Sequence, residues 1–190
     1  MSDELILASA SPRRRELMER LGRPFRVMPA HVDESPDEAI EPSVLAERLA
    51  ERKAGAIAGT LSKGIVIGAD TIVSLEGRII GKPRDRADAV AILSRLSGSR
   101  HAVITGVCVI DAATGARAVE SETTRVTMRR MSRAEIEAYV NSGEADGKAG
   151  AYAIQETGDR YVEKLEGDLD NVVGLPMRLL ERMLRRIERA

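Results

Sequence analysis

Short apolar runs alternate with amphipathic stretches along the whole of this 190-residue chain. The short runs are rich in Val and Ile and end at glycine or polar residues, as strands do. They predict strands over residues 5–8, 26–29, 65–69, 72–75, 78–80, 101–111, 118–128, 151–154 and 161–165. Apolar residues with helical spacing predict helices over residues 12–21, 42–58, 86–96, 133–141 and 176–189. Because no long linker or repeat interrupts this order, we expect residues 1–190 to form one α/β domain.

The two longest predicted strands, 101–111 and 118–128, are separated by one short turn around A112-A-T-G115. A connection this short joins antiparallel neighbours, because a parallel pair needs a crossover of about a dozen residues or more. The sheet is therefore expected to be mixed. Neither a G-x-G-x-x-G sequence nor a P-loop occurs, so a dinucleotide-binding Rossmann fold is disfavoured.

The composition excludes several classes of function. The formal net charge is -1 and aromatic residues make up 2% of the chain, so neither a basic surface for duplex nucleic acid nor stacking platforms for single strands are indicated. Cys108 lies alone in an apolar run and is predicted to be a buried hydrophobe rather than a nucleophile. No apolar run suits a signal peptide or a membrane span, so the cytoplasm is the expected location.

Three arginines follow S9-A-S-P at the predicted start of the first helix. Ser11 and Pro12 are strong helix-start residues, but cations are unfavourable there because the first turn carries the positive end of the helix dipole. One explanation is a capped surface helix whose arginines point into water. The other is an anion site, in which a phosphate group binds the free N–H groups of the first turn together with the arginines. The remaining motifs decide between the two.

Acidic residues follow two of the predicted strands. Asp70 comes directly after the buried run I65-V-I-G-A69, at the predicted end of a central strand, where open α/β sheets place their ligands. A turn aspartate that accepts backbone hydrogen bonds would look the same in sequence. Asp33 and Glu34 follow the strand over residues 26–29, and with Asp70 they could supply the oxygen ligands that Mg²⁺ prefers.

Lysines lie beside glycine, proline or alanine at the edges of other elements, where a backbone can approach a ligand closely. They are Lys53, Lys82 in G81-K-P, and Lys148 before G150-A-Y-A-I-Q. Cations and carboxylates that alternate in a nearly neutral chain fit the recognition of a polyphosphate with a metal. The histidines carry no such pattern, and His31 and His101 are both expected to face solvent.

Six short motifs occur in order along the chain: L7-A-S-A-S-P-R-R, V32-D-E, G68-A-D-T-I-V, G81-K-P, K148-A-G-A-Y-A-I-Q and N171-V-V-G-L-P. With these motifs at these spacings, the chain resembles the Maf family of nucleoside triphosphate pyrophosphatases, also called septum formation inhibitor proteins. The resemblance implies an α/β Maf fold related to inosine triphosphate pyrophosphatases, with an elongated mixed sheet flanked by helices and a cleft between two lobes. It also implies hydrolysis of a nucleoside triphosphate to the monophosphate and pyrophosphate, a divalent cation (Mg²⁺ or Mn²⁺) as cofactor, and a homodimer.

The resemblance also assigns roles to individual residues. Asp70 matches the family's proton acceptor, and together with Glu34 it is expected to hold the metal. Three positions match those tied to substrate choice: Arg13, Thr71 and Gln155. The other positions expected to bind substrate are Ser9, Ser11, Arg14, Glu34, Lys53 and Lys82. The combination at the three selective positions resembles the branch that acts on dTTP and UTP.

Two other functions remain open at this point. A non-catalytic protein that senses nucleotides and regulates cell division through a partner would bind nucleotides without turnover. A different house-cleaning pyrophosphatase would prefer purine substrates, such as damaged triphosphates or 7-methyl-GTP. On the pyrimidine hypothesis, Gln155 suits the edge of a uracil or thymine ring because its amide both donates and accepts hydrogen bonds.

Overall fold

Seven β-strands form a single sheet within residues 4–34, 40–155 and 157–189, which are the residues that the computed structural model describes. The strands are β1 (Leu5–Leu7), β2 (Phe25–Val27), β3 (Ile65–Leu75), β4 (Arg78–Ile80), β5 (Arg100–Asp111), β6 (Arg117–Met128) and β7 (Val162–Glu166). Their order across the sheet is β2-β1-β3-β5-β6-β7, with β4 beside the end of β3. β1 pairs in parallel with β2 and β3, and the other pairs are antiparallel. The mixed sheet predicted from the sequence is confirmed.

Helices cover both faces of this sheet, which confirms the α/β class. They are α1 (Pro12–Glu19), α2 (Pro42–Ala58), α3 (Arg86–Leu96), α4 (Arg133–Asn141), α5 (Leu169–Val173) and α6 (Met177–Ile187). One core joins α1 and α6 to the sheet and includes Leu17, Leu180 and Val107. Another joins α2 to the sheet around Ala54 and Cys108, where burial raises the pKa of the cysteine thiol to about 12. No helix in the described part of the chain is long and apolar enough to cross a membrane.

Two glycines let α2 lie directly on the sheet. A Cβ atom at Gly68 would come within 2.3 Å of the carbonyl oxygen of Ala50, and one at Gly106 within 2.3 Å of that of Ala46. Such distances are sterically forbidden, so only glycine fits at either position. This close approach places the middle of α2, which carries Lys53, against β3.

β3 is one continuous strand of 11 residues, whereas the sequence predicts two strands separated by Asp70 and Thr71. Both residues keep their pairing with β5, opposite Gly106 and Thr105. The prediction that Asp70 ends a strand is therefore wrong. Asp70 and Thr71 lie where the edge of β3 opposite β5 has no neighbouring strand. On that edge β1 pairs with residues 65–67 and β4 with residues 73–75, so residues 68–72 pair with neither. Polar side chains are tolerated in the middle of β3 because this edge is open.

The segment after α4 also differs from the prediction. Residues 151–154, predicted to form a strand, do not form one, because Ala151 ends a short 3-10 turn over Ala149–Ala151 and residues 152–154 pair with no strand. Gly150 and Ala151 have positive φ angles of 73° and 57°, which a β-strand does not accommodate. α5 is absent from the prediction because its five residues are too few to show helical periodicity.

Candidate active site

A cleft of about 310 Å³ lies at the open edge of β3. Its walls come from the segment after β1, the loop after β2, the middle of β3, and the segment before β7. All ten residues that the sequence predicts for the site line this cleft: Ser9, Ser11, Arg13, Arg14, Glu34, Lys53, Asp70, Thr71, Lys82 and Gln155. Their individual roles stay predictions, but the fold brings them together from across the chain.

Lys53 joins the two carboxylates that are predicted to hold a metal. Its Nζ atom lies 2.6 Å from Asp70 Oδ1 and 2.7 Å from Glu34 Oε1, and Lys82 Nζ lies 3.0 Å from Glu34 Oε2. The hydrogen bond from Lys53, together with the one from Lys82, lowers the pKa of Glu34 to about 2 despite partial burial. Glu34 is therefore a carboxylate at neutral pH.

Burial makes this pairing necessary. The Lys53 side chain is only 8% exposed and that of Asp70 13%, and an unpaired charge at either position would be strongly unfavourable. The ion pair therefore holds α2 against β3, and Glu34 ties the loop after β2 to the same lysine. Lys53 contacts Oδ1 of Asp70, and Oδ2 has no hydrogen-bond partner among the described residues.

Arg14 is held by three acceptors. Its Nε donates to the carbonyl oxygen of Gly174 at 2.8 Å. Its Nη1 donates to Ser9 Oγ at 3.3 Å, and its Nη2 to Thr71 Oγ1 at 3.0 Å. Burial lowers the pKa of Arg14 while the charge of Asp70 opposes this, and the side chain is a cation because a guanidinium does not lose its proton in proteins. Since a guanidinium carries five N–H groups, two remain for an anion in the cleft.

The N-terminus of α1 adds further donors. Ser11 caps the helix by accepting the Arg14 N–H at 3.4 Å, and Ser9 Oγ accepts the Ser11 N–H at 3.2 Å. The first turn of this helix, all of it described, contains no acidic residue, so no carboxylate in that turn offsets the positive end of the helix dipole. Arg13 adds a second cation that lines the cleft. The geometry therefore favours the anion site over the solvated surface helix.

The opposite wall of the cleft is the segment over residues 148–155. Hydrogen bonds hold it to other parts of the chain, and they join Gly150 to Gly81, Ala153 to Tyr139, Tyr152 to His101, and Lys148 to Glu144. The expectation that His101 faces solvent is wrong, because its exposed fraction is only 1%. Burial lowers the pKa of His101 to about 4, so the imidazole that contacts Tyr152 is neutral at physiological pH.

One end of the cleft has an apolar surface, to which β3, β5 and this segment each contribute a residue. Val73, Val103 and Tyr152 belong to one buried apolar cluster, and all three line the cleft. Gln155 lies at the exposed rim of this end. An apolar surface with an amide at its rim suits a planar heterocycle, because the ring faces are apolar and its edge is polar.

The carboxylates fit a cation that takes most of its ligands from the substrate. Among the described residues, no three His, Cys, Asp or Glu side chains lie close enough to hold a metal ion by themselves. Asp33 does not line the cleft, so the set of three carboxylates considered from the sequence does not form there. Glu34 and Asp70 do converge on Lys53. Mg²⁺ often binds one or two carboxylates and completes its shell with waters and substrate phosphates, which suits this pair.

Three residues around the site escape the sequence reasoning: Thr105, Asn171 and Gly174. Thr105 and Asn171 are fully buried, and Thr105 Oγ1 donates to the carbonyl oxygen of Asn171 at 2.9 Å. The signal for Thr105 is a hydroxyl inside the apolar run A102-V-I-T-G-V, because a buried hydroxyl requires a partner. Asn171 and Gly174 belong to the N171-V-V-G-L-P motif, for which the sequence indicates no separate role.

Comparison with known proteins gives consistent matches. Residues 4–187 match the family model described as "Maf-like protein". A protein from Pelotomaculum thermopropionicum named dTTP/UTP pyrophosphatase is 49% identical over 183 residues, which cover 96% of each chain. Proteins of the same name from Moorella thermoacetica and Desulforamulus reducens are 49% and 47% identical over 181 residues, covering 95% of this chain and 93% and 95% of theirs.

Proposed function

The chain belongs to the Maf family, and we propose that it is a nucleoside triphosphate pyrophosphatase that converts dTTP and UTP to the monophosphate and pyrophosphate. The observation that carries this proposal is one cleft that combines a helix N-terminus and two arginines with the carboxylates of Glu34 and Asp70. The cations suit linked phosphates, and the carboxylates suit a metal and an attacking water. The relatives' shared name supports the choice of substrate.

The triphosphate lies against the N-terminus of α1 in this proposal. Arg14 offers its two remaining N–H groups, and Arg13 adds charge. Ser9 and Ser11 offer hydroxyl protons, because their oxygen atoms already accept backbone N–H groups. Lys82, which is 60% exposed, can turn from Glu34 toward a phosphate oxygen.

Asp70 is the proposed base. Lys53 holds its Oδ1, so Oδ2 can take a proton from the attacking water. The water oxygen forms a bond to the α-phosphorus, and the bond from that phosphorus to the α,β-bridging oxygen breaks. The electron pair leaves with pyrophosphate, whose charge Arg13 and Arg14 stabilise. Glu34 and Asp70 would hold Mg²⁺ or Mn²⁺, which when bound neutralises phosphate oxygens.

Base recognition is assigned to the apolar end of the cleft. A uracil or thymine ring packs against Val73, Val103 and Tyr152, and the amide of Gln155 pairs with a carbonyl and the N–H of its edge. Because Gln155 is exposed, water competes for its hydrogen bonds, and the selectivity it supplies should be moderate.

Assembly and location follow from the family resemblance and the substrate. A homodimer is expected, and the described surface exposes Val27, Val44 and Leu169, which a partner could cover. Light scattering from the purified protein should give twice the monomer mass, and a monomer mass would contradict this expectation. The cytoplasm is the proposed location because nucleoside triphosphates are made and used there.

A panel of dTTP, UTP, CTP, GTP and 7-methyl-GTP, each with and without Mg²⁺ or Mn²⁺, tests the function. We expect metal-dependent release of pyrophosphate, fastest from dTTP and UTP, and no turnover in EDTA. Saturable binding without pyrophosphate release would instead favour a nucleotide-sensing regulator. Preferential turnover of a purine triphosphate would favour a purine-directed house-cleaning enzyme.

A further inference from the structure

A chain of hydroxyl groups runs from the cleft into the protein interior. Arg14 Nη2 lies 3.0 Å from Thr71 Oγ1, which in turn lies 3.0 Å from Thr105 Oγ1. Thr105 Oγ1 lies 2.9 Å from the carbonyl oxygen of Asn171. Thr71 lines the cleft, whereas Thr105 and Asn171 are fully buried and have no role in the proposed reaction.

The direction of each hydrogen bond in this chain follows from counting protons. A carbonyl oxygen only accepts, so Thr105 donates its single hydroxyl proton to Asn171. Thr105 has no proton left for Thr71, so Thr71 donates its own proton to Thr105. A guanidinium only donates, so Thr71 accepts from Arg14. The hydroxyl proton of Thr71 thus points into the protein, and Thr71 Oγ1 keeps one lone pair that can accept a hydrogen bond from a ligand in the cleft.

Ser9 presents the opposite hydrogen-bonding group to the cleft, a donor rather than an acceptor. Its Oγ accepts the N–H of Ser11 and an N–H of Arg14, which uses both lone pairs. The Ser9 proton is therefore the group left for a ligand, and phosphate oxygens can accept it. A phosphate oxygen that faced Thr71 would meet a lone pair instead. Thr71 therefore suits a part of the substrate that donates a hydrogen bond.

Thr71 lies between the two ends of the cleft. It accepts from Arg14 at the phosphate end, and the alternation of side chains along β3 puts it on the same face as Val73 at the apolar end. A nucleotide has its sugar between its phosphates and its base, so the sugar comes next to Thr71. The one sugar donor that dTTP and UTP share is the 3′-hydroxyl.

We propose that Thr105 is a positioning residue that holds the proton of Thr71 away from the cleft, so that Thr71 accepts a hydrogen bond from the 3′-hydroxyl of the nucleotide sugar. The identity of the ligand in this inference rests on the proposed function. Without the Thr105 hydroxyl, the hydroxyl of Thr71 can rotate and donate into the cleft. The preference for a donor at the 3′ position is then lost.

The test compares dTTP with 3′-fluoro-3′-deoxythymidine triphosphate, in which fluorine replaces a hydroxyl of similar size and cannot donate. For the unaltered protein, kcat/KM for dTTP should exceed that for the fluoro analogue by about tenfold, the effect of one hydrogen bond. Thr105→Val, which keeps the shape but removes the hydroxyl, should lower this ratio to about twofold. Thr105→Ser, which keeps the hydroxyl, should retain the ratio.

Thr124→Val is the matched control. Thr124 is a buried threonine on β6, two strands from Thr71, and its Oγ1 accepts from Asn171 Nδ2 at 3.0 Å and donates to the carbonyl oxygen of Asp168 at 2.8 Å. Both valine substitutions remove a buried hydroxyl and should lower Tm, but only Thr105→Val should change the nucleotide ratio. An unchanged ratio in Thr105→Val, or an equal fall in Thr105→Ser, would overturn the proposal.

Binding measurements separate this inference from the proposed function. Dissociation constants for the α,β-methylene analogues of dTTP and of its 3′-fluoro derivative give the corresponding ratio of affinities, which requires no turnover. If no nucleotide is hydrolysed but Thr105→Val lowers the binding ratio, the proposed function fails and the inference stands. If dTTP is hydrolysed and neither ratio changes in Thr105→Val, the function stands and the inference fails.

Discussion

Replacing Lys53 with methionine removes the buried cation that joins α2, β3 and the loop after β2. Methionine is similar to lysine in length and unbranched, so it can fill the same space. The variant leaves Asp70, whose side chain is 13% exposed, as a nearly buried carboxylate without this partner. Glu34 is affected less, because it is 42% exposed and keeps its ion pair with Lys82.

The expected loss follows from that burial. Removing one partner of a buried ion pair lowers the free energy of unfolding by about 3–5 kcal/mol. The decrease for Lys53→Met should be near the lower end of this range because the cleft admits water to Asp70. For a chain of this size, about 3 kcal/mol corresponds to a fall in Tm of about 6–12 °C. Lys82→Met is the matched control, because Lys82 is 60% exposed and pairs with the same Glu34. The free energy of unfolding of Lys82→Met should fall by about 1 kcal/mol or less.

Calorimetric melting of both variants between pH 7 and pH 3 tests this reasoning. Because the lysines lower the pKa of Glu34 from its ordinary 4.5 to about 2, its contribution to stability is fully present above pH 4.5 and is lost as the pH falls toward 2. The gap in Tm between the unaltered protein and Lys53→Met should therefore narrow below pH 4.5. Equal and small shifts for Lys53→Met and Lys82→Met at pH 7 would refute the buried pairing.

Two other predictions use matched pairs of variants. Gln155→Ala should lower kcat/KM for UTP and dTTP by about tenfold and spare purine triphosphates, whereas Arg13→Ala should lower all of them together. Steady-state kinetics on UTP, dTTP, CTP and GTP checks this, and a flat profile for Gln155→Ala would contradict base recognition. Gly106→Ala should lower the free energy of unfolding by about 3 kcal/mol or more, because its Cβ would lie 2.3 Å from the carbonyl oxygen of Ala46. Gly55→Ala, at an exposed position of α2 where a Cβ would meet no atom within 4 Å, should raise Tm slightly, and equal effects of the two changes would contradict the close packing of α2.

The cleft residues are predictable from the sequence because most of them belong to short motifs with a local physical meaning. Ser11 and Pro12 mark a helix start, and arginines at that start indicate an anion. The contact between Lys53 and Asp70 is not predictable in this way. It depends on the distance between α2 and β3, which Gly68 sets by removing a Cβ from the interface.

The errors arise where a distant element decides the environment of a residue. His101 is polar and begins a predicted strand, so it is expected to face solvent, but Tyr152 covers it from another part of the chain. Asp70 is predicted to end a strand because it directly follows the buried run I65-V-I-G-A69. The open edge that accommodates it depends on where β1 and β4 stop pairing with β3, which no local pattern records. Thr105 shows that a buried hydroxyl needs a partner, but its partner Asn171 is known only from the fold.

Hydrolysis of UTP in water enriched in ¹⁸O tests the central claim most directly, because the label reports which phosphorus the water attacks. If Asp70 activates a water for attack at the α-phosphorus, the label should appear in UMP and not in pyrophosphate. Asp70→Asn should lower the rate by about a hundredfold or more while the protein stays folded, since general base catalysis contributes at least that much. Label in the pyrophosphate, release of UDP and phosphate, or an unchanged rate in folded Asp70→Asn would contradict the account.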